Sequence, residues 1–290
     1  ARDGEALGRT AAPIVAPSQG VHLVVDRAFL PGDRALLVPS TADGRVLFAV
    51  PWLGHTILGT TDTPRSDLAL EPEPFAEEVA FILREAGRYL ARAPRREDVT
   101  SAWVGLRPLV RPSGDDGGNT KRLSREHVVA ISPSGLVTVT GGKWTTYRAM
   151  AEDVLEQAAA AGLVERRAGG ATATLRLAGA PATPVTHAIA APAGLHLYGS
   201  DAGAVGALPG ADTVLAPGLT EAMVRFAARH EWARTVEDML ARRSRLLFLD
   251  ARAAAAVAPR VAALLHAETG VDPQLGEFDA LARRYASLPE

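Results

Sequence analysis

The chain has 290 residues, 47% hydrophobic and 22% charged. That is enough apolar matter for one or two domains with real cores, and it excludes a disordered or collagen-like chain. A formal net charge of −2 excludes a global pull towards nucleic acid or an anionic membrane surface. The absence of cysteine excludes a disulfide scaffold, a thiolate metal site and a cysteine nucleophile.

Lys121 and Lys143 are the only lysines, against 29 Arg and 55 Ala. Arginine is therefore the default cation, and a lysine kept against that bias hints at chemistry needing a compact, titratable charge. From Ala1 to Pro17 no basic-then-apolar leader is visible. The chain also opens without Met, so a partial or processed chain is expected. The longest uncharged stretch, Leu177 to Ser200, holds Pro181, Pro184 and Pro192 and reads as a linker, not a membrane span.

In chain order, Val21–Asp26 reads as a short strand, followed by a turn at Pro31-Gly32-Asp33 and a strand over Ala35–Val38. Asp43-Gly44 signals a hairpin into Val46–Val50, and His55–Leu58 is the next strand. A helix then follows, with Pro74 in its first turn and Phe75, Val79, Ile82, Leu83, Ala86 and Leu90 at helical spacing. Val99–Leu106 returns to strand, and His127–Ile131 with Leu136–Thr140 forms a tight hairpin. Thr145-Thr146 opens a helix to about Gly162 with Met150, Val154, Leu155 and Ala158 as its buried stripe. Arg166 to Gly218 is rich in Ala, Gly and Pro and marks the boundary.

The remainder is helical. Thr220 caps a helix to about Ala233, and Thr235–Asp238 approximates a capping box for a second. Asp250 caps a third, which Pro259 would kink or split and Gly270 would end, and Asp272-Pro273 opens the last. The predicted fold class is α+β, a mixed or antiparallel sheet domain followed by an all-α C-terminal domain. The predicted pieces are 1–165, a linker over 166–218, and 219–290.

The most informative local pattern is Thr140-Gly141-Gly142-Lys143-Trp144-Thr145-Thr146-Tyr147-Arg148. Paired glycines between a strand and a helix start let backbone N–H groups approach an anion or a polar ring edge. A phosphate-binding P-loop is excluded, because its first glycine and its Ser/Thr would fall on Val137 and Trp144. A plain turn whose glycines only permit close packing remains the alternative. Arg107, at the end of an apolar strand, suits a forked grip on phosphate or carboxylate, or is a solvated edge residue, and Arg125 reads the same way. His22, among Val and Leu, is either a hydrogen-bonded structural residue or a base. No His-x-x-x-His spacing occurs among the seven histidines, so no metal site is expected. Arg242, Arg243 and Arg245 read as a solvated helix face.

These residues carry a resemblance. Ser18–Asp26, Phe48–Trp52, Gly59–Asp62, Gly105–Leu109 and Thr140–Arg148 resemble, in order, the FAD-dependent respiratory glycerol-3-phosphate dehydrogenases. Arg229–Arg243 looks like that family's helical tail, so the likeness covers nearly all of residues 18 to 270. One departure stands out: the family's Gly-x-Gly-x-x-Gly nucleotide-binding unit is absent. The chain is thus expected to begin inside the flavin domain, short of roughly 200 residues, about one domain. On this reading residues 1–165 join a substrate-capping domain to the end of the FAD-binding domain. The fragment alone is expected to be inactive and poor at holding FAD.

The resemblance implies oxidation of sn-glycerol 3-phosphate to dihydroxyacetone phosphate by hydride transfer to FAD, with electrons passed to a quinone. His22 would be the base, and Lys143 would act beside flavin and substrate. Arg107 and Arg125 would neutralise the substrate phosphate, and Thr60 and Thr61 would line the pocket. Gly141, Gly142, Lys143, Trp144, Thr145 and Thr146 would hold the flavin. It also implies a cytoplasmic protein, peripheral on the inner face of the cytoplasmic membrane, with homo-oligomerisation left open. The rivals are an oxidase delivering electrons to oxygen, an amine-oxidising flavoprotein of the D-amino-acid-oxidase type, and a non-catalytic assembly domain.

Overall fold

A computed structural model describes residues 14–41, 44–111 and 126–290. The architecture is α+β, with antiparallel sheets and a helical C-terminal region. Contacts divide the chain into two compact units. The first comprises Ala1–Gly20, Asp62–Pro72 and Gly105–Arg176, and the second Val21–Thr61, Glu73–Val104 and Leu177–Glu290. The predicted pieces run consecutively, whereas these units interleave, and Leu177 to Gly218 groups with the helical region.

The interleaving follows from two long strands, β1 (Val15–Asp26) and β6 (Val99–Val110), each of which supplies residues to both units. Only the second half of β1 was legible in the sequence. Its first half carries Ser18 and Gln19, both wholly buried, so polar side chains mask the apolar pattern there.

In the second unit β2 (Leu36–Val38), β3 (Leu47–Trp52), β4 (His55–Gly59) and β1 lie side by side, all antiparallel. Leu36 pairs with Ala49 across the predicted hairpin, and β6 pairs with β1. Val21, Leu23 and Val25, spaced by two, share one face with Leu47, Ala49 and Leu58. Helix α1 (Ala76–Ala86) covers that face with Val79, Ile82 and Ala86. Each large aliphatic side chain fully buried there stabilises the unit by about 1.5–3 kcal/mol. Pro74 does not enter the first turn as expected. It precedes the N-cap, Phe75, whose N–H donates to the Glu78 carboxylate at 3.0 Å.

In the first unit the start of β1 pairs with β5 (Thr63–Pro64). The hairpin β7 (His127–Ile131) and β8 (Val137–Gly141) forms as predicted, and α2 (Tyr147–Ala160) follows a single 3₁₀ turn. The predicted stripe on α2 is corrected: Ala158 is buried, but Leu155 is 61% exposed.

The C-terminal part of the second unit contains the short helix α3 (Ala202–Gly206), the small ladder β9 (Val214–Ala216) with β10 (Leu219–Thr220), and α4 (Glu221–His230). Thr220 caps α4 by accepting from Met223 N–H at 3.4 Å, and α4 stops at His230, short of Ala233. Thr235 and Asp238 cap one another's backbone at 3.0 and 3.1 Å, and the chain then winds as a π-helix over Asp238–Arg243. After the single turn α5 (Leu246–Leu249), Asp250 caps α6 (Ala251–Thr269) at Ala253 N–H, 2.9 Å. Pro259 lies inside α6 without dividing it, between the buried Ala258 and Val261. Gly270 ends α6 with φ of 69°, and α7 (Leu275–Ala286) starts after Gln274, later than Asp272-Pro273 indicated. Phe226, Leu240, Leu265 and Phe278 are at the centre of this core. No helix among the described residues is long and apolar enough to cross a membrane.

Candidate functional site

His22, Thr60 and Thr61 belong to the second unit, Arg107 and residues 141–146 to the first. Arg125 lies outside the described residues.

His22 projects from β1 on the face opposite Leu23 and Val25, where its strand partner is Gly59 of β4. Gly59 is also the partner of Phe48 on β3, so the glycine sits between the two rings. A Cβ on Gly59 would stand 2.6 Å from His22 Cδ2 and 3.2 Å from Phe48 Cζ. Only glycine leaves that space, and the His22 and Phe48 rings come to 5.7 Å across it. On its other side His22 stacks on Trp103 of β6, with centroids 4.1 Å apart and planes 19° apart. Trp103 is in turn held edge-on by Phe248 at 5.5 Å. The turn bearing Phe248 is fixed by hydrogen bonds from Thr100 to Leu249 O (2.7 Å) and from Ser101 to Leu247 O (2.9 Å). The imidazole is half-buried and clamped between aromatic walls, a setting that orients a ring for proton transfer at its edge. The sequence named His22 but not its clamp. Trp103 was within reach as an aromatic on the neighbouring apolar strand, but its register against His22 was not.

Beyond β4, Thr60 donates to Val21 O at 3.1 Å. Thr61 is buried, accepts from Val21 N–H (3.0 Å) and donates to Glu78 (2.8 Å). Its hydroxyl ties β1 to the start of α1, so its immediate task is to hold the loop that presents Thr60.

In the first unit, Arg107 lays its guanidinium against the backbone of Gly20, where a Cβ would fall 2.2 Å from Nη2. Near it in sequence, Gln19 accepts from Arg65 at 2.5 Å, and Arg65 also grips Asp67 through Nε at 2.6 Å. Hydrogen bonding from Arg65 holds the Asp67 carboxyl below its ordinary value. Buried Gln19 gave no signal in the sequence because nothing local predicts burial of an amide.

Gly141 and Gly142 both have positive φ, 77° and 73°. A Cβ would meet Glu126 O at 2.5 Å from Gly141, and Met150 Sδ at 2.5 Å from Gly142. Packing of the turn against its own hairpin and helix therefore accounts for both glycines. What the turn presents outward is different: Lys143, then Trp144, 84% exposed and stacked on Tyr147 at 5.1 Å. Thr146 occupies the cap position of α2, but its hydroxyl donates to Lys143 O at 3.0 Å instead of accepting from the helix. The first N–H groups of α2 are thus left without a side-chain cap, beside an ammonium and two rings. Behind the turn, His127 Nε2 and Asp153 Oδ2 are 2.8 Å apart and join β7 to α2. Hydrogen bonds from Gln157 and then His127 hold Asp153 below the usual carboxylate range. Among the described residues no group of three or more His, Asp or Glu is placed to hold a metal.

Residues 3–148 match the family model described as FAD dependent oxidoreductase. Residues 138–275 match that of the C-terminal domain of alpha-glycerophosphate oxidase. A mitochondrial glycerol-3-phosphate dehydrogenase of Arabidopsis thaliana is 40% identical over 286 residues, covering 88% of this chain and 45% of the relative. The mitochondrial glycerol-3-phosphate dehydrogenase of Homo sapiens is 37% identical over 286 residues, covering 91% and 39%. The solved structure of the glycerol-3-phosphate dehydrogenase from Bacillus halodurans complexed with FAD superposes with a TM-score of 0.72 at 25% identity, over 94% of this chain and 58% of that one. The chain thus spans less than half the length of these two curated relatives.

Proposed function

The chain belongs to the FAD dependent oxidoreductase family, and from that premise we propose that the whole protein oxidises sn-glycerol 3-phosphate to dihydroxyacetone phosphate with FAD and delivers the electrons to a quinone. The observation that carries this is the agreement of relatives at 37–40% identity, over about nine tenths of the chain, on the name glycerol-3-phosphate dehydrogenase.

The residues present fit FAD. The uncapped start of α2, the Lys143 ammonium and the exposed Trp144 offer positive charge and a flat apolar surface to the electron-rich edge of a flavin. When bound, FAD supplies the two-electron acceptor for the hydride leaving C2. In this reading Gly141 and Gly142 shape the turn, and Thr145 and Thr146 supply its helix start. Lys143 places a positive charge where negative charge develops on oxidation. His22 accepts the proton of the C2 hydroxyl, its ring held still by Trp103 and Phe48. Arg107 and Arg125 bind the phosphate through forked, charge-assisted hydrogen bonds. Thr60 lines the pocket, and Thr61 acts through the loop it anchors.

The test uses the full-length protein. Anaerobic glycerol 3-phosphate should bleach the flavin, and a soluble quinone should restore its colour. A His22→Gln variant with full flavin content should turn over about 10²–10⁴-fold more slowly. Arg107→Ala should raise KM for glycerol 3-phosphate roughly tenfold or more. Peroxide formed in step with substrate, with the quinone ignored, would replace the quinone with oxygen. An unchanged kcat for His22→Gln would remove the base.

A further inference from the structure

Within the second unit, Arg242, Arg243 and Arg245 line an open cavity of about 260 Å³, with Arg242 and Arg245 exposed as expected and Arg243 half-buried. Arg242, Arg243, Ser244 and Arg245 form one wall, and Tyr198 and Glu231 face them. The guanidiniums are not equivalent. Arg242 is held by Glu237 at 2.5 Å and Asp238 at 3.3 Å. Arg243 donates through Nε to Glu231 O at 3.0 Å, and again through Nη2, which leaves its charge without a carboxylate partner. Arg245 reaches only Arg243 O, at 3.5 Å. Among the described residues, no carboxylate pairs with Arg243 or Arg245 within 4.0 Å.

The backbone that builds this wall is unusual. It winds as a π-helix from Asp238 to Arg243, and non-glycine residues with positive φ stand on either side, Trp232 at 58° and Arg245 at 62°. Such conformations are rare for residues with a Cβ and gather at sites of function. Here they turn consecutive arginines towards one space, which a regular helix would spread around its circumference.

We propose that this cavity binds a small phosphate monoester, gripped by the guanidiniums of Arg243 and Arg245. Forked guanidiniums match phosphate oxygens, and two guanidiniums with no carboxylate within 4.0 Å favour a dianion. The space equals roughly eight or nine waters at about 30 Å³ each, which suits a phosphate on a few carbons and not a dinucleotide. Burial pushes the Tyr198 phenol above its ordinary range, with the nearby Glu231 charge adding to the effect, so the hydroxyl keeps its proton. Glu231 is the one opposing charge. Burial raises its carboxyl, Asp201 adds to the rise, and Arg243, Arg245 and His230 pull the other way. Its repulsion limits affinity, and that gives the site a signature of two opposite signs.

The experiment is calorimetric titration of inorganic phosphate into the full-length protein carrying Arg107→Gln, which removes the proposed substrate grip, and into that protein with each cavity variant added. The expected result is one saturable site, weakened roughly tenfold or more by Arg245→Gln and tightened severalfold by Glu231→Gln. Arg107 stays replaced throughout, because the proposed function gives that residue a phosphate grip of its own. This keeps failure here separate from failure of the dehydrogenase reading. Absence of a saturable site in the Arg107→Gln protein, or equal weakening by both cavity variants, would each overturn the assignment. Malonate binding as tightly as phosphate would overturn the choice of phosphate.

Discussion

The second unit builds two extensive apolar cores, while exposing Leu37, Val185, Val214 and Trp232, and the described residues of the first build a small one. In the second, Leu23, Leu58 and Ile82 on the sheet side and Leu240, Leu265 and Phe278 on the helical side are all essentially inaccessible. Among the described residues of the first, the sheet start contributes a core of Ala16 and Leu109. Its hairpin and helix leave Val128, Val139, Trp144 and Leu155 exposed. The lesson concerns the two candidate sets: His22 stands in a clamp that is complete, while Lys143 and Trp144 stand on a surface that is open.

The sharpest way to break this contrast is a pair of leucines. Leu58→Ala should destabilise by about 2–5 kcal/mol and Leu155→Ala by under about 0.5 kcal/mol, measured by chemical denaturation. Equal losses would mean the exposed helix face is covered in solution. Next in size are the glycines. Gly59→Ala drives a methyl into the His22 and Phe48 rings and should cost about 1–3 kcal/mol. Gly142→Ala meets the flexible end of Met150 and, at 3.1 Å, His127 Cβ, and should cost about 1–2 kcal/mol through its left-handed backbone and that contact. A harmless Gly59→Ala would show that the clamp yields. In amide exchange, β7 and β8 should lose protection before β3 and β4.

The smallest effect is electrostatic. Hydrogen bonding from Arg229, opposed by burial and reinforced by Arg225, holds the Glu268 carboxyl below its ordinary 4.5. A lowered carboxylate adds stability above the ordinary value and loses it as pH falls through the folded one. Glu268→Gln should therefore cost under about 1 kcal/mol at pH 7, and the gap to the parent should vanish well below pH 4.5. A gap constant with pH would assign the loss to packing.

Much of this was legible in the sequence where a local rule governs. The Thr220 and Asp250 caps, the hairpin at Ser132–Gly135 and the spacing of Val79, Ile82 and Ala86 each follow from interactions within a few residues. Misreadings came where neighbours far along the chain decide. Ser18 and Gln19 broke the strand pattern because long-range partners satisfy them. Leu155 fitted the helical stripe, yet it is exposed where Ala158 on the same helix is buried. Pro259 marked a break that packing on both sides overrides.

The sequence by itself determined most of the sheet strands and the main helices, and singled out His22, Arg107 and Lys143 as candidates, because backbone periodicity, capping and residue chemistry act at short range. Tertiary structure alone decided that Gly59 is the space His22 needs, that Trp103 is its platform, and that Arg243 and Arg245 share a cavity. Each of those depends on register between strands or on a π-turn in the backbone, and both are set by packing between segments far apart in the chain.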